Sequence, residues 1–556
     1  MRGHARRGQG ATLRPTGLPT APLTDARHHP HLRAALAGCL AACLVTALWL
    51  SPALGRGVLL YRDFVQVPHP ALSPAALGLD GRAPRAVPLD AVTAALHPIV
   101  SSGVQQQLML LGSLALAGCG TAVLLRRHGV AAAVTGAVLA TWNPYTAERL
   151  LLGQPPTLLG WAMIPWLVLA VRLPGSMRRR LLATILAAAP AALTPFGGLL
   201  AAVVVLLTWA VTRERSDARE GLALGALATT WCLPWIVVGL LGASDAGQRS
   251  GAPAFAVRHD GPLAVMDVLG GGGVWAPGAA LASRIDGWAV LPSLVLLVAA
   301  VLVATLPTPR LTQQHGPHRA ALRHRRLLLA VVLLPPVVVL ALATPVGLAV
   351  WAPAQDVPGV GLLRDTHRLL GPATLAVAVL VGVGVGAVTR SVTSRAHAAM
   401  TGIALTVITC SLAVLSAPDA PARTRAAYHP VTFPAAWQHA VDAVGGRTVL
   451  VLPWQPFRAQ SWAGPQPFLD PLPLALHGRA LTSRALTVHR DGQTYVVGED
   501  DDAPARAWAR GDLDALRRAG IEAVITWEDT PGAAPAPSAA DAPQIHGPLR
   551  VWILHD

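Results

Sequence analysis

The sequence predicts a polytopic all-α membrane domain of about 11 transmembrane helices, followed by a small extracytoplasmic α/β domain. Three observations predict this fold: eleven apolar stretches, arginines concentrated on alternate loops, and a sharp change of composition near residue 418. A membrane-spanning helix needs roughly 20 apolar residues to cross about 30 Å of hydrocarbon. The predicted spans are 34–54, 103–125, 128–142, 156–172, 181–194, 197–212, 221–241, 288–306, 327–350, 370–388 and 397–417.

Arginine sets the predicted orientation, because the chain contains no lysine. With the N-terminus inside, 22 arginines fall on inner segments and 10 on outer loops before residue 418. Cytoplasmic loops carry the excess of positive charge. We therefore expect a multi-pass protein of the plasma membrane with a cytoplasmic N-terminus and an extracytoplasmic C-terminal domain. Residues 1–33, rich in Arg, Pro and Gly, predict a disordered cytoplasmic tail.

The net charge of +15 does not indicate nucleic-acid binding. Residues from 418 onward hold 12 Arg and 15 acidic residues, so the excess positive charge lies in the membrane domain, 34–417, and the tail. Inner arginines there face an anionic leaflet. A nucleic-acid site needs a clustered basic face with interleaved aromatic residues, and the sequence shows none. The partner that the charge pattern predicts is the lipid bilayer.

The domain predicted over 418–556 alternates strand and helix signals. Residues 448–452 (TVLVL) and 523–527 (AVITW) are short apolar runs typical of buried strands, and 551–554 (VWIL) is another. The segment 513–519 between two of them predicts a helix that Gly520 ends. This alternation favours a small α/β domain.

Trp454 follows the first predicted strand of that domain and has two possible roles. Ligands of open α/β sheets bind beyond the carboxyl ends of strands, where an aromatic ring suits a carbohydrate. Tryptophan is also enriched at membrane surfaces without any ligand. The sequence leaves both interpretations open, and Trp454 is a candidate substrate-binding residue.

The first outer loop, 61–102, carries the candidate catalytic residue. It opens with YRDF, which places Asp63 at the outer end of the first span. An ionisable residue at a membrane face is a functional hypothesis by default. Partial burial raises a carboxyl pKa toward the range of a general base. The alternative is that Asp63 pairs with Arg62 or caps a short interfacial helix.

Further polar residues lie in three other outer segments. Glu148 and Arg149 lie between two spans, and the loop 242–287 contains four consecutive glycines suited to a flexible lid. In the loop 351–369, three cationic side chains are spaced to share one helical face: Arg364, His367 and Arg368. Guanidinium groups bind phosphate in a bidentate fork, so this face suits a lipid-linked phosphate. Headgroup contact or pairing with Asp365 is the alternative.

Four phrases, YRDFVQVP, NPYTAERLLLGQ, GLLRDTHRLLGP and VLPWQPFRAQSW, carry a resemblance to a known group of enzymes. The chain resembles the GT-C superfamily of membrane glycosyltransferases, in particular actinobacterial proteins related to cell-wall arabinofuranosyltransferases and mannosyltransferases. The resemblance implies a polyprenyl-phosphate-linked sugar as donor and an envelope glycan as acceptor. It also implies that Asp63 is the base or helps to bind a divalent cation; many members have two adjacent acidic residues, whereas Arg62 and Phe64 flank Asp63.

The implied mechanism gives each candidate a role. Arg364, His367 and Arg368 hold the donor phosphate, and Asp63 takes the proton of the acceptor hydroxyl. Glu148 and Arg149 are further candidate substrate-binding residues. No metal ligand set is predicted, and the need for a divalent cation is open. The rival hypothesis is a non-catalytic membrane protein: a transporter, a flippase or an envelope-assembly scaffold, for which the prolines within and beside spans are the main support.

Overall fold

The computed structural model describes residues 30–80, 86–212, 218–241, 249–306, 318–357, 359–490, 492–498, 501–532 and 536–554. Most of the predicted tail, 1–29, therefore lies outside the described residues, as do 242–248 of the predicted glycine-rich outer loop. The first described helix begins at Pro30, slightly before the predicted start of the membrane domain.

The first part of the described chain is helical. Its α-helices are α1 (Pro30–Leu50), α2 (Leu89–Leu96), α3 (Ser102–Leu125), α4 (Val130–Thr141), α5 (Pro144–Leu151), α6 (Pro155–Ala162), α7 (Ile164–Val171), α8 (Met177–Ala188), α9 (Pro195–Thr212), α10 (Ala218–Leu241), α11 (Gly251–Ala254), α12 (Pro262–Leu269), α13 (Ala282–Ile285), α14 (Val290–Thr305), α15 (His318–Ala343), α16 (Pro345–Ala354), α17 (Gly371–Ser391) and α18 (Arg395–Ser416).

Among the described residues, seven helical segments are long and apolar enough to cross a membrane. They are Pro30–Ala53, Ser102–His128, Pro195–Thr212, Ala218–Leu240, Arg326–Ala343, Thr366–Ser391 and Arg395–Ser416. Shorter apolar helices are Pro155–Val171, Val290–Thr305 and Pro345–Ala354. The protein is thus a mostly helical membrane protein, and the number of crossings stays a prediction.

The predicted span 156–172 is divided at Met163 into α6 and α7. Two other predicted spans also differ from the observed helices. The stretch 327–350 is not one helix, because α15 ends at Ala343 and Thr344 caps the new helix α16 by accepting a hydrogen bond from the Gly347 amide. The stretch 181–194 begins earlier, at Met177, and α8 ends at Ala188 ahead of a 3-10 turn. In both places a proline follows the break, and its missing N–H suits the first turn of a new segment.

Helices α1, α3, α4 and α17 pack closely through small residues. A Cβ added to Gly38 of α1 would lie 2.6 Å from the Cβ of Ala122, and one added to Gly118 of α3 would lie 2.5 Å from the Cβ of Ala42. Glycine at such points lets helix backbones approach within van der Waals contact, which drives helix association where no hydrophobic effect operates. This bundle supports the segments that carry the candidate site.

The C-terminal part is a small α/β region. Its helices are α19 (Ala420–Ala427), α20 (Ala436–Val444), α21 (Leu472–Ala475), α22 (Ala503–Arg510) and α23 (Leu513–Arg518). The strands of the described residues are β1 (Val58–Leu59), β2 (Pro430–Val431), β3 (Val449–Leu452), β4 (Phe457–Arg458), β5 (Phe468–Leu469), β6 (Ala480–Leu481), β7 (Leu486–Arg490), β8 (Gln493–Val497), β9 (Ala523–Trp527), β10 (Gln544–His546) and β11 (Leu549–Ile553).

Five of these strands form one mixed sheet in the order β10-β11-β9-β3-β6. Strand β3 runs parallel to β9 and to β6, whereas β11 runs antiparallel to β9. The three runs predicted as strands, 448–452, 523–527 and 551–554, coincide with β3, β9 and most of β11. Helix α23 ends as predicted just before Gly520, whose φ of +72° suits glycine.

The start of the first outer loop belongs to the core of this C-terminal region. Strand β1 pairs antiparallel with β2, and the Arg62 amide donates to the Pro467 carbonyl at 3.0 Å. Val65 and Val67 are buried in the same apolar cluster as Trp437 and Trp527. The loop that carries Asp63 is therefore fixed on both sides, by the first helix and by the C-terminal sheet.

Candidate functional site

Helix α5 carries two charged side chains into the protein interior. Asn143 caps it by accepting a hydrogen bond from the Thr146 amide at 3.0 Å, and Pro144 occupies its first position. Glu148 and Arg149 follow in the last turn, and both are 0% exposed. A charge buried this deeply is stable only when partners compensate for its lost hydration.

Arg149 and Asp365 form a two-pronged ion pair. The Arg149 Nη1 lies 2.5 Å from Asp365 Oδ2, and Nη2 lies 2.9 Å from Oδ1. This parallel arrangement is the strongest geometry available to guanidinium and carboxylate. Although burial opposes ionisation, Arg149 and Arg368 hold the pKa of Asp365 well below its usual range. Asp365 therefore stays charged and fixes α5 to the segment before α17.

His367 lies between the two charged residues of α5. Its Nδ1 is 2.6 Å from Arg149 Nη2, and its Nε2 is 3.2 Å from Glu148 Oε2. Because a guanidinium only donates, Nδ1 accepts, and a neutral imidazole then carries its proton on Nε2, toward Glu148. The ring also stacks on Tyr145, with centroids 5.4 Å apart. Nδ1 of His367 is thus hydrogen-bonded inside the protein, whereas Nε2 lies at ion-pair distance from Glu148 without hydrogen-bond geometry.

Glu148 joins this group to the glycine-rich loop. Its Oε2 accepts a hydrogen bond from the Val274 amide at 3.1 Å, directly after the glycine run. Burial alone would raise its pKa, but His367, Arg258 and Arg284 outweigh that effect, and the net pKa is lowered. We call Glu148, Arg149, Asp365 and His367 the buried quartet.

A second ionic group braces the same loop. Asp267 at the end of α12 accepts from Arg284 Nε at 2.6 Å and also pairs with Arg258. Arg284 donates further to the carbonyls of Ala289 and Ser416, at 3.1 and 3.0 Å. The loop 270–273 is consequently held from beneath by two arginines and one carboxylate. These contacts hold the loop in place and therefore do not support the flexible lid predicted for it.

Asp63 lies at the exposed tip of a tight turn. The Phe64 amide donates to the Tyr61 carbonyl at 2.9 Å, and the Tyr61 amide donates back to the Phe64 carbonyl at 3.2 Å. Arg62 adopts a φ of +48°, which is uncommon for a side chain with a Cβ. The turn packs against Gly153, where an added Cβ would lie 2.8 Å from the Tyr61 carbonyl oxygen. The YRDF segment and the end of the NPYTAERLLLGQ segment are therefore in contact.

Arg364 and Arg368 are both partly exposed, and the charge of Asp63 acts on both of them. The Arg364 guanidinium lies 4.9 Å from the centroid of the Phe255 ring, and that of Arg368 lies 5.6 Å from the centroid of Phe196. Arg368 Nε is also 3.4 Å from Asp365 Oδ2. Burial and the charge of Arg368 lower the pKa of Arg364, and the carboxylates of Asp365 and Asp63 oppose this shift. Asp63 thus interacts electrostatically with both arginines.

The structure brings together six of the seven residues singled out in the sequence. They are Asp63, Glu148, Arg149, Arg364, His367 and Arg368. The single α-helical face expected for the last three is wrong, because the segment consists of two 3-10 helices, Val360–Leu363 and Thr366–Leu370. His367 accordingly faces inward, whereas the two arginines remain partly exposed. Trp454 lies elsewhere, at the edge of the C-terminal sheet.

The sequence did not indicate that these charged side chains pair with one another inside the protein. Asp365 was considered only as an alternative partner of the cations, yet it is the residue that holds Arg149 and Arg368 together. Tyr145 and Arg284 were not singled out at all. One signal for this pairing is present in the sequence: in the segments predicted to be outside, acidic residues accompany the few arginines. Within the described residues, no three His, Cys, Asp or Glu side chains converge to hold a metal ion.

Comparisons with known proteins give a sparse result. No family model matches the sequence, and no curated protein matches it. Among solved structures, the chain is similar to a cryo-EM structure of a mutant of arabinofuranosyltransferase AftD from Mycobacteria, with a TM-score of 0.49 and 17% sequence identity. The match covers 95% of this chain and 42% of that chain, so this chain spans less than half the length of that protein.

Proposed function

We propose that this protein is a membrane glycosyltransferase that moves a sugar from a polyprenyl-phosphate donor to an envelope glycan on the outer face. One observation carries the proposal: the exposed Asp63 carboxylate interacts electrostatically with two partly exposed arginines, Arg364 and Arg368. This is the combination that the transfer needs, a base for the acceptor and cations for the leaving phosphate. The GT-C resemblance of the segments that meet here supports the same reaction.

In the proposed reaction, the acceptor hydroxyl oxygen attacks the anomeric carbon of the donor sugar. The bond from that carbon to the phosphate oxygen breaks, and the phosphate leaves with the electron pair. Arg364 and Arg368 stabilise the negative charge that gathers on the phosphate. Asp63 takes the proton that the acceptor hydroxyl loses. The products are the extended glycan and the polyprenyl phosphate.

The buried quartet has a positioning role in this proposal. Through Asp365 it sets the position of Arg368, and through Glu148 it fixes the backbone at Val274. Groups held in place before the reaction cost no reorganisation when charge develops, which is why fixed cations stabilise a leaving group well. Its members therefore act through the residues that contact substrate, and not by contacting substrate themselves.

A divalent cation is implied by the GT-C resemblance, but the residues around Asp63 do not suit one. Magnesium and calcium prefer several oxygen ligands, usually including more than one carboxylate. Asp63 follows Arg62 in the chain and interacts with the charges of Arg364 and Arg368, and these positive charges oppose a cation. Proton transfer to Asp63 is complete without a metal, so no step of the proposed reaction passes through one.

Donor binding tests the proposal directly. Purified protein in lipid nanodiscs is titrated with a panel of polyprenyl-phosphate sugars, and Arg364→Gln is compared with the wild type. Loss of an arginine contact to phosphate is expected to weaken binding by about tenfold or more. Arg506→Gln, which removes an exposed arginine paired with Asp502 in α22, is the matched control and should bind normally. Absence of binding by the wild type with every donor would instead support a non-catalytic membrane protein.

A further inference from the structure

Two histidines of the first outer loop, neither of them part of the candidate site, contact each other. His69 Nδ1 lies 3.3 Å from His97 Nε2, and the two ring planes are nearly perpendicular, at 89°. His69 is exposed and His97 is half-buried. The pair is therefore open to the surface on one side, and neither the proposed transfer nor the buried quartet uses it.

The distance between these two nitrogens fits a shared metal ion better than a direct hydrogen bond. A hydrogen bond donated by nitrogen usually measures about 2.7–3.2 Å between heavy atoms. Two imidazole nitrogens that bind one zinc ion each lie about 2.0–2.1 Å from it, so tetrahedral angles place them about 3.3–3.4 Å apart. The observed separation of 3.3 Å lies in this second range.

Ser102, the first residue of α3, contacts the other nitrogen of the His97 ring. Its Oγ lies 3.2 Å from His97 Nδ1, and Ser102 is only 2% exposed. When Nδ1 carries the proton and donates to this oxygen, Nε2 keeps its lone pair and presents it toward His69. Metal-binding histidines usually donate their other ring N–H in this way, which fixes the tautomer and the orientation of the ring.

Two buried glutamines hold the segments that carry the histidines. Gln66, on the same segment as His69, donates from Nε2 to Thr93 Oγ1 at 3.0 Å. Gln105 donates from Nε2 to the Thr93 carbonyl at 3.0 Å. Thr93 itself lies in α2, which ends one residue before His97. The fold thus holds both rings in place, and binding an ion between them needs little rearrangement.

We propose that His69 and His97 form a binding site for a late first-row divalent metal ion, of which Zn²⁺ is the representative. Imidazole is a preferred ligand of zinc, copper and nickel, whereas magnesium and calcium prefer oxygen. Within the described residues, no third His, Cys, Asp or Glu side chain joins the pair, so water completes the coordination on the exposed side. The ion fastens the segment of His69 to the end of α2.

Titration with Zn²⁺ tests the site directly. The full chain in nanodiscs, with its affinity tag removed and after treatment with a chelator, is titrated by isothermal calorimetry. We expect His69→Gln and His97→Gln each to abolish one binding event of the wild type, and Ser102→Ala to weaken it by about tenfold or more. His489→Gln is the matched control, because His489 is an exposed histidine of β7 that contacts Thr494 instead.

The unfolding midpoint gives a second measurement on the same proteins. An ion that binds only the folded chain raises the midpoint as its concentration rises. Zn²⁺ should therefore raise the midpoint of the wild type and of His489→Gln, but not that of His69→Gln. Because His69 is exposed, its replacement by glutamine does not disturb the packing, and the variant reports on metal binding alone.

Two results would overturn the metal site. Equal Zn²⁺ binding by the wild type, His69→Gln and His97→Gln would show an adventitious ion only, held by other histidines of the chain. Absence of saturable Zn²⁺ binding by the wild type would overturn the site as well. Neither result bears on the proposed function, since donor binding through Arg364 is measured in a separate titration.

Discussion

At the scale of single residues, the decisive feature is that the charges of α5 and of the segment before α17 are paired inside the protein. Arg149 satisfies both oxygens of Asp365 and also contacts His367 and Gln154. Breaking a buried ion pair by removing one partner leaves the other charge buried and uncompensated. Removing one member of the buried quartet should therefore cost more free energy of unfolding than the loss of its own hydrogen bonds.

We predict that Arg149→Ala destabilises the protein by about 3–5 kcal/mol, because Asp365 loses its principal partner while remaining buried. The measurement is the thermal unfolding midpoint in detergent, together with the fraction that elutes as a single species. Arg506→Ala in the exposed pair with Asp502 is the control and should cost about 1 kcal/mol or less. Equal effects of the two substitutions would show that Arg149 is not compensating a buried charge.

A second prediction concerns the histidine pair of the first outer loop. His69 Nδ1 lies 3.3 Å from His97 Nε2, and Ser102 Oγ lies 3.2 Å from His97 Nδ1. Burial and the charge of His69 lower the pKa of His97 from its ordinary value of 6.5. The unfolded chain then takes up this proton first as the pH falls below about 6.5, so acidification reduces the free energy of unfolding.

We accordingly expect the unfolding midpoint in detergent to fall between pH 7.5 and roughly pH 5, and His97→Gln to reduce that fall. His69→Gln removes the neighbouring charge and should have a smaller effect in the same direction. The comparison uses the change in midpoint across the pH range, so a constant loss of stability in a variant does not confuse the result. An unchanged pH dependence in His97→Gln would contradict the assignment.

At the scale of elements, apolar length and composition predicted the location of helices well. A helix lies at each of the eleven predicted stretches, and β3 and β9 fall almost where the apolar runs placed them. These features depend on local properties, chiefly hydrophobicity over a window and the residues that end a helix. The break at Thr344 was missed because the flanking residues on both sides are equally apolar.

Elements defined by long-range contact were not predictable in this way. Strands β1 and β2 have two residues each and pair across more than three hundred and fifty positions of the chain. The segment 364–368 carries a spacing suited to an α-helix, yet Asp365 breaks the helix to reach Arg149 on α5. Such a tertiary ion pair outweighs local preference, because burial makes an unpaired charge far more costly than a lost helical turn. The sequence therefore indicated the residues of the site but not which of them face inward.

The glycine-rich loop gives a prediction at this scale. An added Cβ at Gly272 would lie 2.3 Å from Asp267 Oδ1 and 2.8 Å from Arg284 Nε. Gly272→Ala should therefore displace the Asp267–Arg284 ion pair that contacts the loop. We expect it to lower the unfolding midpoint, measured in detergent by scanning fluorimetry, by several degrees or more. Gly225→Ala in α10 is the matched control, because nothing lies within 4 Å of its Cβ position. A neutral Gly272→Ala would show that the loop is not held by the Asp267 group.

At the scale of the whole molecule, the arrangement requires the Asp63 turn and the C-terminal sheet to lie on one side of the membrane. The distribution of arginine predicts that this is the outer side. We expect a cysteine introduced at the exposed Ser461 to react with a membrane-impermeant maleimide on intact cells. A cysteine at the exposed Arg127 should react only after permeabilisation, and the unsubstituted protein controls for its own five cysteines. The opposite labelling pattern would invert the topology.

The proposed function makes Asp63 the base of a sugar transfer that uses a polyprenyl-phosphate donor. The most direct measurement is transfer of labelled sugar in membranes by the wild type and by Asp63→Asn, with donor binding measured in parallel. Asp286→Asn, at an exposed carboxylate that is not part of the site, is the matched control. We expect Asp63→Asn to abolish transfer while donor binding persists, and Asp286→Asn to transfer sugar normally. Full transfer by Asp63→Asn would contradict the proposed function.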